Sequence, residues 1–248
     1  MLNNVKNFVQ IILISKHSNM MEIAIISAIA ISSYFLGAFI FNRYIDTAQF
    51  YQQYFYLPLH YACTGEFSSF EFNQAAQDFF LSPRATFTDC AKLAETPTKL
   101  WNGFDGGAIF LLALSGLLWR FLGIAWTNLA PIAGLLTAIL AVSAYLLFRV
   151  FCRSSVIATA AAVAFTLHTS VSTQVPHLRD FSKAPFIVAA LALIAAAVFK
   201  QFRLPGIAAL ATSAGAMVAI GQGFRPDIIA ILPIVPRQRP WHRFRVEL

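Results

Sequence analysis

Charged positions are sparse along this chain and the uncharged runs between them are long. Five runs stand out: Ile23–Phe41, Leu129–Phe148, Val156–Val171, Ala184–Phe199 and Leu204–Ile220. Each is uncharged over most of the length of a bilayer crossing, so each predicts a transmembrane helix. Several fall slightly short of the roughly 20 residues that a bilayer requires, but their polar ends can extend them. A sixth run, Ile228–Pro236, stops after nine residues. Nine helical residues rise only about 14 Å against about 30 Å of hydrocarbon. It is either re-entrant or a helix cut short, and truncation is the expectation. The predicted fold is all-α and polytopic, with about five full transmembrane helices plus an unfinished sixth.

Composition agrees with the pattern. Of the 248 residues, 58% are hydrophobic and 12% are charged, where a soluble domain carries about 25%. The mean hydropathy is +0.66. The net charge of +7 acts first as a topology signal, because Lys and Arg collect on the cytoplasmic side. The basic residues are scattered and no basic-aromatic motif accompanies them, which excludes nucleic acid as a partner. The first run, 19 residues long, exceeds the roughly 7–15 residue core of a signal peptide, and no small-residue cleavage site follows it. It reads as a retained span, led by "VKNFVQIILISKHS" with Lys6 and Lys16 as a short helix on the cytoplasmic face.

Gly107 to Gly123, "GAIFLLALSGLLWRFLG", is apolar but holds Trp119 and Arg120. It reads as a span or as a helix lying flat, and charge counting decides. With this segment flat on the outer face and the N-terminus inside, the inner segments are 1–22, 149–155, 200–203 and 237–248. They then hold ten of the 18 basic residues, Arg149, Arg153, Lys200 and Arg203 among them. If the segment spans, those four face outward against the positive-inside bias. The flat reading is adopted, and Trp119 and Trp126 fit it as interface residues. It divides the chain into a cytoplasmic segment, 1–22, a transmembrane region, 23–236, with an outer loop 42–128, and a basic tail, 237–248.

The outer loop begins with Tyr44, Phe50, Tyr51, Tyr54, Phe55, Tyr56 and Tyr61. These form either an aromatic belt at the bilayer edge or a surface for a sugar or lipid. The polar stretch from Cys63 to Thr98 predicts short helices and turns. Cys63 and Cys90 share this loop and can form a disulfide if it faces an oxidising compartment; Cys152 is expected as an inert thiol.

On this topology three outer loops carry charge. Asp46 follows the first span. Arg179, Asp180 and Lys183 lie in "PHLRDFSKAPF", and Arg225 and Asp227 in "GQGFRPDII". Ionisable groups at a membrane boundary are often functional. Each has a plainer reading. Asp46 can pair with Arg43, and Asp180 with Lys183, three residues apart in each case. Arg179 and Lys183 can snorkel to headgroups, and Asp227 can serve a helix start behind Pro226. His177 is a candidate for the same site, while His168 is expected to be packed or hydrogen-bonded within the third span. Gly221 and Gly223 follow a helix rather than a strand, so they are no dinucleotide fingerprint. Motifs for a P-loop, a serine nucleophile elbow or zinc are lacking, so no metal is assigned.

The order of these parts resembles the N-terminal half of GT-C type polytopic glycosyltransferases, such as the protein O-mannosyltransferase and aminoarabinose transferase families. Four elements carry the resemblance over roughly residues 20–236. An acid, Asp46, follows the first span. "GAIFLLALSGLLWRFLG" stands as a juxtamembrane helix. "AGLLTAILAVSAYLLFRVFCRSS" closes on a basic inner turn. "HLRDFSKAPF" carries an acid just before another span. The chain departs from relatives in having a single acid after the first span, "FDGGAIF" with Asp105 where many show a His-Pro-Pro-like element, and none of their further spans.

The resemblance implies an inverting transfer of a sugar from a polyprenyl phosphate to an acceptor on the outer face, carried out by the full-length enzyme, with the donor and acceptor pockets expected to be incomplete in this chain. It implies Asp46 as general base, Arg179, Lys183 and Arg225 as phosphate-binding groups, and Asp180 and Asp227 in support. The donor substrate is a polyprenyl-phosphate-linked sugar, the partners are the lipid bilayer and that lipid-linked sugar, and the location is a bacterial inner membrane. The rival readings are a small-solute or lipid transporter and a non-catalytic membrane protein or remnant. The predicted spans contain no Asp, Glu, Lys or Arg, which argues against a proton-coupled transporter.

Overall fold

The computed structural model describes residues 18–48, 55–70, 74–82, 84–94, 98–99, 108–200 and 202–228. The segment with Lys6 and Lys16, the aromatics Tyr51 and Tyr54, Asp105, the sixth run beyond Ile228 and the tail 237–248 lie outside the described residues.

The first described element is α1, Ser18–Tyr44, which runs into a 3-10 turn at Ile45–Ala48. The loop region follows, with α2 at Tyr56–Thr64, β1 at Ser69–Phe70, α3 at Gln74–Leu81, α4 at Cys90–Ala94 and β2 at Thr98–Lys99. The two short strands pair antiparallel, Ser69 with Lys99 and Phe70 with Thr98. Next come α5, Ile109–Leu122, and a 3-10 turn at Trp126–Leu129. The remaining helices are α6, Ala130–Phe151, α7, Ser155–Leu167, α8, Thr169–Ser172, α9, Leu178–Phe181, α10, Ala184–Phe199, and α11, Leu204–Phe224. Pro131, Pro185 and Pro205 each stand in the first turn of a long helix, where the missing N–H would have had no partner.

Four segments are long and apolar enough to cross a membrane: Met20–Tyr44, Trp126–Phe151, Leu178–Phe199 and Leu204–Phe224. The 22 residues of α6 rise about 33 Å, enough for a hydrocarbon core of about 30 Å. Large apolar side chains cover the outside of the bundle: Ile31, Phe35 and Phe39 of α1 are 61%, 66% and 64% exposed. In water such a surface would aggregate. These are the features of an integral membrane protein.

The expected third span, Val156–Val171, is broken instead of continuous. Its first part, α7, has only 13 residues. The backbone at His168 turns extended (ψ 136°), and its Nδ1 accepts the Ser170 N–H at 3.2 Å. His168 is thus a cap between two helices. The sequence "HTSVST" supplies hydroxyls that bond to nearby backbone carbonyls, as Thr173 Oγ1 does to Thr169 O at 2.7 Å, and such side chains compete with a regular helix. The segment from Ser155 to Phe181 still runs from one end of the bundle to the other.

Helix α6 is central and packs against α1, α7 and α10, while α10 packs against α11. The α1–α6 crossing is antiparallel and close. A Cβ on Gly134 would lie 2.7 Å from the Tyr34 backbone oxygen, so only glycine lets the two backbones meet, the small-residue packing of membrane helices. One end of the bundle gathers the end of α1, the starts of α6 and α10 and the end of α11; we call it the loop end. The opposite turn end gathers the start of α1 and the turns between α6 and α7 and between α10 and α11.

Helix α5 lies across the loop end. Phe110 near its start meets Phe224 at the end of α11, with ring centroids 6.3 Å apart. Trp119 near its other end packs on Trp126, just before α6, at 5.1 Å. The tryptophans are not the interface anchors expected from the sequence. Trp119 is 1% exposed and Trp126 3%, and both pack with Phe55 and Phe79. They form the core of the loop region. A disulfide joins Cys63 of α2 to Cys90 of α4, with Cα atoms 5.1 Å apart and the two residues 27 positions apart in sequence. Closing a loop of that length stabilises by about 3.5 kcal/mol on chain-entropy grounds.

Candidate functional site

The residues singled out in the sequence all lie at the loop end, but they form two clusters rather than one. Asp46 sits on the 3-10 turn that ends α1. Its carboxylate is gripped by Arg84, whose Nη2 donates to Oδ2 at 2.9 Å and whose Nε lies 3.2 Å from both oxygens. The partner is therefore Arg84, 38 residues away in sequence, and not Arg43. The hydrogen bond and charge of Asp46 push the Arg84 guanidinium above its ordinary range. Both side chains are well exposed, 62% for Arg84 and 48% for Asp46, so water screens the pair.

The second cluster ties α9 and the start of α10 to the end of α11. Asp180 is ion-paired with Arg225. Arg225 Nε reaches Asp227 Oδ1 at 3.1 Å, and Lys183 Nζ donates to Asp227 Oδ2 at 2.7 Å. Asp180 and Lys183 are thus paired across the bundle instead of with each other. Ser182 Oγ, from the same turn, donates to Arg179 O at 3.0 Å and to Phe224 O at 3.4 Å. Arg179 sits half-buried on α9.

Burial opposes ionisation of Asp227, but the hydrogen bond from Lys183 and the charges of Arg225 and Lys183 outweigh it. Its carboxyl is held below the ordinary value of 3.8. His177, half-buried at the start of α9, is pushed below its ordinary range by burial. No ion pair or hydrogen bond joins Asp46 to this second cluster among the described residues.

The chemistry open to each cluster follows from its charge. In the second, two carboxylates face two cations, so the network is neutral. A phosphate could bind Lys183 or Arg225 only by displacing Asp227 or Asp180. Asp46 could take a proton from a hydroxyl only if Arg84 turned aside. Among the described residues no group of three or more His, Cys, Asp or Glu side chains could hold a metal ion.

Two features escaped the sequence reading. One is Arg84, a loop residue with no pattern to connect it to Asp46. The other is a polar triad at the turn end. The predicted boundary between residues 22 and 23 falls inside α1, so Glu22 belongs to a candidate span and not to a separate segment. Glu22 Oε1 accepts from Arg149 Nε at 2.9 Å and Nη2 at 2.7 Å, and Oε2 accepts from the Tyr145 hydroxyl. Arg149 Nη1 also donates to the Cys152 and Arg153 carbonyls at 3.0 and 3.1 Å. The available signal was that Glu22 is the sole acid in the first 45 residues.

Compared with protein-family models, curated proteins and solved structures, the chain has no significant match.

Proposed function

We propose that the chain is the membrane-embedded part of a GT-C type glycosyltransferase, which moves a sugar from a polyprenyl phosphate to an acceptor at the loop end. In this reading the loop end faces outward from a bacterial inner membrane and the N-terminus is cytoplasmic. The observation that carries it is the meeting, at one end of an apolar bundle, of α5 lying crosswise, Asp46 at the end of α1, and the Asp180–Arg225–Asp227–Lys183 network. The disulfide between Cys63 and Cys90 suits an oxidising compartment on that side.

Asp46 then accepts the acceptor proton as its hydroxyl attacks, once Arg84 is displaced. Lys183 and Arg225 exchange a carboxylate for the departing phosphate, whose charge grows as the sugar leaves. Asp180 and Asp227 orient these cations, and Arg179 adds positive charge at the headgroup level.

One observation favours a second reading, a non-catalytic membrane protein: every charge of the second cluster is already paired within the protein, as in a structural latch. Transfer from a radiolabelled polyprenyl-phosphate sugar in proteoliposomes separates the two. Turnover by the wild type, reduced at least about 100-fold in Asp46→Asn, a loss typical of a removed general base, supports the enzyme. A folded wild type without turnover, or an Asp46→Asn variant at full rate, overturns it.

A further inference from the structure

At the turn end, away from all the residues discussed for transfer, the bundle holds a partly open cavity of about 340 Å³. This is within the range of ligand sites, about 300–1,000 Å³. Its walls come from four helices: Ile26 of α1, Leu146 of α6, Leu193 of α10, and Leu210 and Met217 of α11 among them. Only Glu22, Ser143, Arg149 and Lys200 bring polar groups to it.

Three of these polar residues are unequal in what they offer. Glu22 and Arg149 neutralise each other, and the Arg149 guanidinium is spent on Glu22 and two backbone carbonyls. Lys200, at the end of α10, has no carboxylate partner among the described residues and is half-exposed. Arg153 and Arg203 stand exposed on the two turns at the same end. The cavity is therefore an apolar slot with a surplus cation at its rim.

We propose that this cavity binds an anionic phospholipid of the leaflet at the turn end, with an acyl chain between α1, α6, α10 and α11 and its phosphate on Lys200. The chemistry selects the occupant. A free phosphate would leave the apolar walls unfilled, and a neutral or zwitterionic lipid would gain little from the surplus positive charge. Basic pockets between transmembrane helices are a recurring way of holding acidic headgroups. The apolar slot accounts for the chain and Lys200 for the head, and neither depends on the chemistry at the loop end.

The test is native mass spectrometry of the full chain in mild detergent, titrated with phosphatidylglycerol, phosphatidylcholine or inorganic phosphate. The expected result is retention of phosphatidylglycerol over phosphatidylcholine, about fivefold weaker in Lys200→Gln, the loss expected for one basic residue at a charged membrane surface. Ala196 of α10 also lines the slot, and Ala196→Phe, which fills it, should abolish retention. Lys200 is half-exposed, so Lys200→Gln keeps the test open if Ala196→Phe fails to fold. Equal retention of the two lipids, retention unchanged in Lys200→Gln, or displacement of lipid by inorganic phosphate overturns the proposal.

Discussion

The two ends of the bundle handle charge in opposite ways. At the loop end, Asp180, Lys183, Arg225 and Asp227 cancel in a part-buried chain of ion pairs, and Asp46 and Arg84 cancel, well exposed, beside it. Among the described residues of the turn end one acid, Glu22, stands against four cations: Arg149, Arg153, Lys200 and Arg203. That acid is only 9% exposed. Solvent screens the Asp46–Arg84 pair, whereas desolvation makes the Glu22–Arg149 pair, and in part the Asp180–Arg225 pair, costly to leave half-made. The loop end also has its disulfide and its aromatic core for cohesion. The turn end relies on a polar contact between α1 and α6.

Substitutions can break this contrast. The largest effect is expected for Glu22→Gln, which leaves the Arg149 charge without a counter-charge beside an apolar cavity. The cost should be about 2–4 kcal/mol, seen as a lower thermal midpoint of the protein in detergent. Removing both partners, as in Glu22→Leu with Arg149→Leu, should restore most of it. A single substitution no more harmful than Lys183→Met would erase the difference between the ends.

The smallest effect belongs to the Asp227 pair. Its folded-state carboxyl is depressed below 3.8, so its stabilising contribution is complete above that pH and fades as the pH falls through the lower, folded-state value. With the Asp227 side chain 46% exposed, the contribution is about 1 kcal/mol or less. The midpoint difference between wild type and Asp227→Asn should be constant from pH 5 to 7, here taken as about one unit or more above the ordinary carboxylate range, and should shrink in stronger acid. A difference that grows on acidification would contradict the assignment.

Much of the bundle was legible because hydrocarbon imposes long uncharged runs. Four of the five expected spans correspond to helices of sufficient length. The third run misled because its hydropathy continues through "HTSVST" while its hydroxyls and His168 divert the backbone. Trp119 and Trp126 were placed at an interface by residue type, but the loop region has an aromatic core of its own, which no periodic pattern announces. The charges in "PHLRDFSKAPF" were visible, yet their partners came from "GQGFRPDII", 44 residues on for Lys183, and spacing along one helix could not show that. Glu22 was hidden by proximity to a run of apolar residues, which moved the apparent helix start past it.

The claim that organises the rest is that the two ends lie on opposite sides of one membrane, with the loop end outside. In a Cys152→Ser background, Gln77→Cys reports on exposed loop-end surface and Arg203→Cys on the turn end. Intact cells are treated with a membrane-impermeant maleimide. The account predicts labelling at position 77 in intact cells and at 203 only after the membrane is opened; labelling at 203 in intact cells, or at both positions alike, contradicts it.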